Sequence, residues 1–375
     1  MKRVVCVAVF LLLFFLTTPV AAEEQAAEMY GQQYEASGAG NLKEELPDET
    51  KGILEGWGIT PENPDSFSGL TPKKIWSDVW GLAAQTVTVP LGAGVSILVC
   101  ILLCAVAGVL KEGGNFQGVT DYLGVLCVSC VILLPLFSSI TKAVESIQIC
   151  GGFMLAFVPV YAGILIAAGR TATAGGYQTM VFGAAQLVTQ LASHVITPFC
   201  GGLTAMSVCA SLAPGYRLDS LSATIKKVVV WLLGIAMTVF TGLLTITGAI
   251  HSAADSVGIR AAKFVVGSSV PFVGGAVSEA LGSVQGCLGV LRSSVGGYGA
   301  IAMAILLLPV LIELLLWKLM LLGASSLCDM FGVGAVSQLI NAMSSVLSII
   351  LAVLVCCAML FLISMTVMML MGGQT

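Results

Sequence analysis

Glu279, Glu313 and Lys318 stand in stretches dominated by apolar and small residues, and His194 lies just before Pro198 in another. A charge among such residues is expensive and marks either a working site or a paired structural group. Glu313 and Glu279 can relay a proton or an ion. Glu313 can equally hold a partner subunit through a buried polar contact, or form a structural ion pair. Lys318 has a stem long enough to carry its ammonium to a membrane interface. His194 reads as structural.

Other chemistry is sparse. The chain has no G-x-x-x-x-G-K-[ST] loop to cradle phosphates, and its two histidines, His194 and His251, form no H-E-x-x-H zinc pair. No G-x-S-x-G nucleophile turn occurs either. Cys127-Val-Ser-Cys130 has the spacing of a redox or metal pair, but it falls in an apolar run without a second ligand pair and reads as small buried thiols. None of the twelve cysteines lies between residues 23 and 86, so no disulfide framework is indicated. The expectation is a non-enzymatic protein with no cofactor and no metal, and with no nucleic acid among its partners.

The elements around these residues belong to a membrane. Charged residues make up 10% and hydrophobic residues 57% of the 375, whereas a soluble domain carries about 25% charged. The expected fold is an all-α polytopic membrane protein of about seven transmembrane helices with broken or re-entrant segments, preceded by a signal peptide and a short acidic extracytoplasmic segment. Residues 1–22 form the signal peptide: Lys2 and Arg3, an apolar run from Val4 to Leu16, and small residues in Val20-Ala21-Ala22. Cleavage after Ala22 starts the mature chain at Glu23; the alternative is an uncleaved anchor.

Residues 23–86 hold twelve of the twenty Asp and Glu against four Lys. A segment this small and polar is expected to bury no core of its own. Within it Leu46 to Trp57 and Leu70 to Ala84 read as amphipathic helices, the second capped by Thr71 with Pro72 at its first position. Ile75, Trp76, Val79, Trp80 and Ala83 share one face of it, suited to a bilayer surface or a partner.

Residues 87–375 form the polytopic domain. Hydropathy places spans at Val87 to Leu110, Val119 to Ile140, Ile147 to Ala168, Met180 to Leu212, Val228 to Ile250, Ala300 to Leu322 and Ser344 to Met371. The fourth is too long for one straight crossing, and Pro198 with Gly201-Gly202 offers a kink or a re-entrant break. Residues 252–299 form a broken segment in which Arg260 and Lys263 precede Pro271, Gly274 and Gly275, and Gly282 and Gly286 continue a small-residue stripe. Such a backbone must be buried against another helix or subunit, line a wet cavity, or lie at the interface. Pro159 and Gly163 make a similar breaker in span three, and Pro159/Pro271 and Pro198/Pro309 recur at nearly one offset, as in a diverged duplication with paired broken helices. The basic group Arg217, Lys226 and Lys227 prefers the cytoplasm. With the acidic segment outside, seven spans satisfy that preference only if the fourth doubles back.

The run Arg260-Ala-Ala-Lys-Phe-Val-Val-Gly-Ser-Ser-Val-Pro-Phe-Val-Gly-Gly275, leading through a Gly/Ser-rich stretch into an apolar span with Pro309, resembles the C-terminal half of stage III sporulation protein AE. The order of parts agrees to the closing Ser-Met-Thr-Val-Met-Met-Leu-Met. The resemblance implies a multi-pass protein of the mother-cell membrane surrounding the forespore. Its implied partners are other stage III sporulation membrane proteins, a separate ATPase subunit, membrane lipid and, indirectly, the forespore stage II protein Q. The implied role is a subunit of a secretion-like channel between the two cells. The residues by themselves leave open a secondary transporter with paired broken helices and, last, a membrane-embedded enzyme.

Overall fold

A computed structural model describes residues 28–62, 66, 72–109, 117–212, 219–269 and 274–371. The expected signal peptide, its cleavage site, Arg217 and Pro271 lie outside the described residues. Every regular element among the described residues is helical: α1 (28–37), a 3-10 turn Ala39–Lys43, α2 (Asp48–Gly56), α3 (Pro72–Val109), α4 (Gln117–Ala167), α5 (Thr171–Leu191), a π-turn Ala192–Ile196, α6 (Thr197–Leu212), α7 (Asp219–Ser269), α8 (Gly274–Met330) and α9 (Gly334–Met371).

The acidic segment departs from expectation by burying a core. Tyr30, Tyr34, Ala39, Leu42, Leu46, Leu54 and Ile59 are all enclosed. It is too small to close that core alone, so it borrows the surface of the helical bundle, packing its 3-10 turn on α4 and α2 on α8. Polar clamps fix the docking: Tyr30 donates to the Pro61 carbonyl at 2.8 Å, Ser294 of α8 donates to the same oxygen at 3.3 Å, and the Trp57 indole donates to Asp78 of α3 at 2.6 Å. The helix expected from Leu70 to Ala84 begins at Pro72 as its N-terminal chemistry demands, but it does not stop there. It runs on as α3 across the expected boundary at residues 86 and 87. Trp80 on it is exposed.

The seven expected spans fall in six helices long and apolar enough to cross a membrane. Expected spans two and three are one helix, α4, of 51 residues. Residues 141–146 were the expected loop because Lys142 and Glu145 interrupt the apolar run, yet no Gly or Pro stops a helix there. Ala143, Val144 and Ile147 are buried, and Lys142 finds a carboxylate on α8. Span four is not a hairpin. Thr189 of α5 lies against Gly151 of α4 and Phe137 of α4 faces Gly201 of α6, so α5 and α6 descend α4 in sequence. The kink between them is the π-turn, since Pro198 has no N–H for the His194 carbonyl and the chain widens one turn to accommodate it. His194 itself is exposed.

The helices alternate in direction. Ser139 and Glu313 pair α4 with α8, Gly299 of α8 faces Phe157 of α4, and Asp255 of α7 reaches Thr173 of α5. Two tight hairpins close opposite ends. Gly169 (φ 79°) and Gly332 (φ 73°) take the left-handed conformation that ends α4 and α8, with Arg170 N–H bonded to the Leu165 carbonyl and Val333 N–H to that of Cys328. This order puts Lys226 and Lys227, at the start of α7, at the end opposite the acidic segment. The fusion of spans two and three achieves that separation, not a doubling of span four.

The paired broken helices are not formed among the described residues. Pro159 and Pro309 lie inside unbroken α4 and α8, whereas Pro198 follows the π-turn at the start of α6, so the offset joins unlike places. The segment 252–299 is helical on both sides of its undescribed centre, as the end of α7 and the start of α8. Burial is uneven across the bundle. α9 is the enclosed helix, with Leu347, Ile350, Leu354 and Phe361 fully buried. By contrast, only 6% of the most apolar stretch of α7 is buried.

Candidate functional site

Among the described residues, two polar centres hold buried charged side chains. The first lies midway along α4 and α8, where Glu313 is 5% exposed. Ser139 donates a hydrogen bond to one of its carboxylate oxygens, and the Lys142 ammonium stands 3.6 Å from the other. The Trp317 indole, itself fully buried, donates to the Ser139 oxygen at 2.9 Å. α4 brings Ser139 and Lys142 to one face by their three-residue spacing, and α8 brings Glu313 and Trp317 together by their four-residue spacing. Each group in the chain from Trp317 to Lys142 satisfies the next. Among the described residues Glu313 is paired within its own chain, with Ser139 and Lys142. Lys318 is half-buried and makes no ion pair among the described residues.

The second centre lies at the acidic-segment end. Asp255 of α7 accepts the backbone N–H of Ala172 at 3.0 Å and of Thr173 at 2.7 Å, capping the first turn of α5 from another helix. Arg170, 3% exposed, reaches Ser252 of α7 at 3.5 Å. Arg292 of α8 is buried beside Arg170 and Tyr161. The Tyr161 and Tyr177 rings lie 6.4 Å apart. Among the described residues Tyr161 Oη, Thr173 Oγ1, His251 Nδ1 and Arg292 Nε are buried without a hydrogen-bond partner, while the Tyr177 and Ser364 hydroxyls face each other. A cavity of about 10 Å³, enough for roughly one water-sized particle, touches Thr173, Gly176, Tyr177 and Thr247. A wider cleft of about 370 Å³ opens next to it between Ser252, Ser256 and the end of α9.

The residues singled out from sequence are dispersed. Pro159 and Gly163 of α4 face outward, and nothing lies within 4 Å of where a Gly163 side chain would begin. Arg260 is exposed on α7, with Lys263 farther along the same helix. Gly274, Gly275 and Glu279 belong to the first turns of α8. Gly282 and Gly286 are exposed with nothing within 4 Å, so the tight packing expected of them is not made by the described residues. Cys127 and Cys130 are exposed on α4 and not buried, because α4 turns that face away from the bundle. Sequence reasoning named Glu313 but missed its partners Ser139 and Lys142, and it missed the second centre altogether. Arg170 and Arg292 flanked by tyrosines and glycines in apolar runs were the available signal.

No solved structure matches the chain. Stage III sporulation protein AE of Bacillus subtilis (strain 168) is 23% identical over 284 residues, which cover 75% of this chain and 71% of that protein. The profile of that family matches residues 66–372, taking in α3 through α9 and both polar centres, and the chain belongs to the stage III sporulation protein AE family.

Proposed function

We propose that this chain is a non-enzymatic membrane subunit of the channel or secretion-like complex that joins mother cell and forespore during endospore formation. It sits in the mother-cell membrane around the forespore with its acidic segment outside the cytoplasm. Its neighbours are other stage III sporulation membrane proteins and a separate ATPase subunit, and it reaches the forespore stage II protein Q indirectly. Membership of a sporulation family supports the setting, and the position of Lys226 and Lys227 opposite the acidic segment supports the orientation.

One observation carries the role of subunit. The apolar span of α7 has 38 residues, about 57 Å at 1.5 Å per residue, whereas a hydrocarbon core is about 30 Å thick. Val228, Trp231, Val239, Ile250 and Val257 are exposed along its length, and Phe264 just beyond its end. Lipid covers about half of that face, and tilting the helix by about 20° shortens its projection only slightly. The remaining half requires protein.

The test is site-specific photo-cross-linking in sporulating cells, with the reactive residue at Val228, Val239, Ile250 or Phe264. Adducts to other sporulation membrane proteins from at least one end of α7, together with loss of spores when that end is made polar, are the expected result. Lipid adducts alone at all four positions would overturn the reading.

A further inference from the structure

Arg292 lies in the bundle at the acidic-segment end, 7% exposed, and makes neither an ion pair nor a hydrogen bond among the described residues. Its neighbours deepen the difficulty. Arg170, a second buried guanidinium, lies within electrostatic range and adds positive charge beside it. A buried cation without a counter-charge is costly. Beside Arg292 the Tyr161 hydroxyl, 1% exposed, also lacks a hydrogen-bond partner among the described residues. The unsatisfied groups are therefore hydrogen-bond donors around positive charge, in a layer where helices α4, α5, α7, α8 and α9 meet.

We propose that Arg292 and the Tyr161 hydroxyl bind a small monovalent anion of about the size of chloride. The Arg292 Nε–H and the Tyr161 O–H donate to it, and Arg170 contributes charge from the neighbouring turn. Size follows from the packing. Leu291 and Val295 flank Arg292 fully buried, so the site favours a compact anion over a tetrahedral oxyanion. The bound anion ties α4 to α8 at the level where the acidic segment docks through Ser294. It acts as a counter-ion that holds that end of the bundle together.

The experiment uses the purified full chain in an uncharged detergent, titrating sodium chloride against sodium gluconate at constant ionic strength and following thermal unfolding. A ligand that binds only the folded form raises the melting temperature in proportion to occupancy. The expected result is a rise of several degrees that saturates, is reproduced by bromide and not by sulfate, and is matched by retention of labelled chloride at one per chain. Arg292→Gln should abolish the chloride dependence. Tyr161→Phe, which keeps the ring and its packing, should shift the chloride midpoint several-fold higher and keeps the test decisive if Arg292→Gln does not fold. A melting temperature indifferent to chloride, an equal response to sulfate, or an unchanged chloride midpoint in Tyr161→Phe would each overturn the assignment.

Discussion

Gly176 of α5 faces His251 of α7 so closely that a Cβ on the glycine would lie 2.0 Å from the imidazole Nδ1. The contact sets how near the two helices approach beside the Asp255 cap. Gly176→Ala should therefore displace His251 and lower stability by about 1–3 kcal/mol, the usual cost of overpacking. Gly175 is the control, because a Cβ there meets nothing within 4 Å. Gly175→Ala should be neutral or stabilising by about 0.5–1 kcal/mol, since alanine is the better helix former. Thermal unfolding of the two variants in the same detergent checks the opposite signs.

At Glu313 the ranking of partners is the prediction. A hydrogen bond to a charged group contributes about 1.5–3 kcal/mol when buried, and the bond from Ser139 is enclosed. The Lys142 ammonium is 52% exposed, so solvent screens its pairing to about 0–1 kcal/mol. Ser139→Ala should cost more than Lys142→Met, and a double-mutant cycle of Ser139→Ala with Glu313→Gln should show coupling between them. The reverse order of costs would make Lys142 the group that holds the carboxylate.

Much of this architecture is legible in the chain itself. The helical class follows from apolar runs that no bilayer could accept as open strands, and the start of α3 at Pro72 follows from local capping chemistry. Two errors have one origin, the treatment of charge as punctuation. Lys142 and Glu145 looked like a loop, but a helix tolerates charges when one face supplies a partner, and that partner lies 171 positions away at Glu313 in sequence. Likewise the acidic segment looked coreless because its core is completed by α4 and α8. Tyr161 and Arg292 were invisible as a pair for the same reason: nothing in the sequence brings α4 and α8 into register until both hairpins are closed.

The direction of α7 gives a labelling prediction. Glu35 and Lys227 are both exposed and belong to opposite ends of the bundle. In a chain whose native cysteines are replaced by alanine, expressed in the cytoplasmic membrane of vegetative cells, a cysteine at Glu35 should react with an impermeant maleimide added to the intact cells. One at Lys227 should react only after permeabilisation. Equal labelling of both in intact cells would contradict the antiparallel path through α4, α5 and α6.

Docking of the acidic segment should fail in alkali. Burial pushes the phenols of Tyr30 and Tyr34 above the ordinary value of about 10. The folded segment therefore holds protons that the undocked chain releases. Its stability is complete below about pH 10 and is lost as the pH rises beyond that value. Protease cleavage within residues 28–62 should increase between about pH 10 and 12, while the helical content of the bundle is unchanged. Tyr34→Phe removes a hydroxyl that has no hydrogen-bond partner among the described residues and should blunt this sensitivity without weakening docking at neutral pH; cleavage as steep as in the parent chain would place the cause elsewhere.

The glycine stripe of α8 separates packing within the chain from packing between chains. Gly282 and Gly286 are four residues apart on one helical face, both are exposed, and a side chain at either would begin in open space. Leucine at both positions should leave the isolated protein folded, and alanine there should if anything strengthen the helix by about 0.5–1 kcal/mol each. Small residues at this spacing nonetheless allow a second helix to approach closely, and leucine would hold such a helix away. The double leucine variant should therefore insert and melt like the parent chain yet be recovered poorly with other sporulation membrane proteins and give few spores. Normal recovery and normal spore yield would show that this face meets lipid. A lowered melting temperature in the isolated protein would show instead that the stripe packs within its own chain.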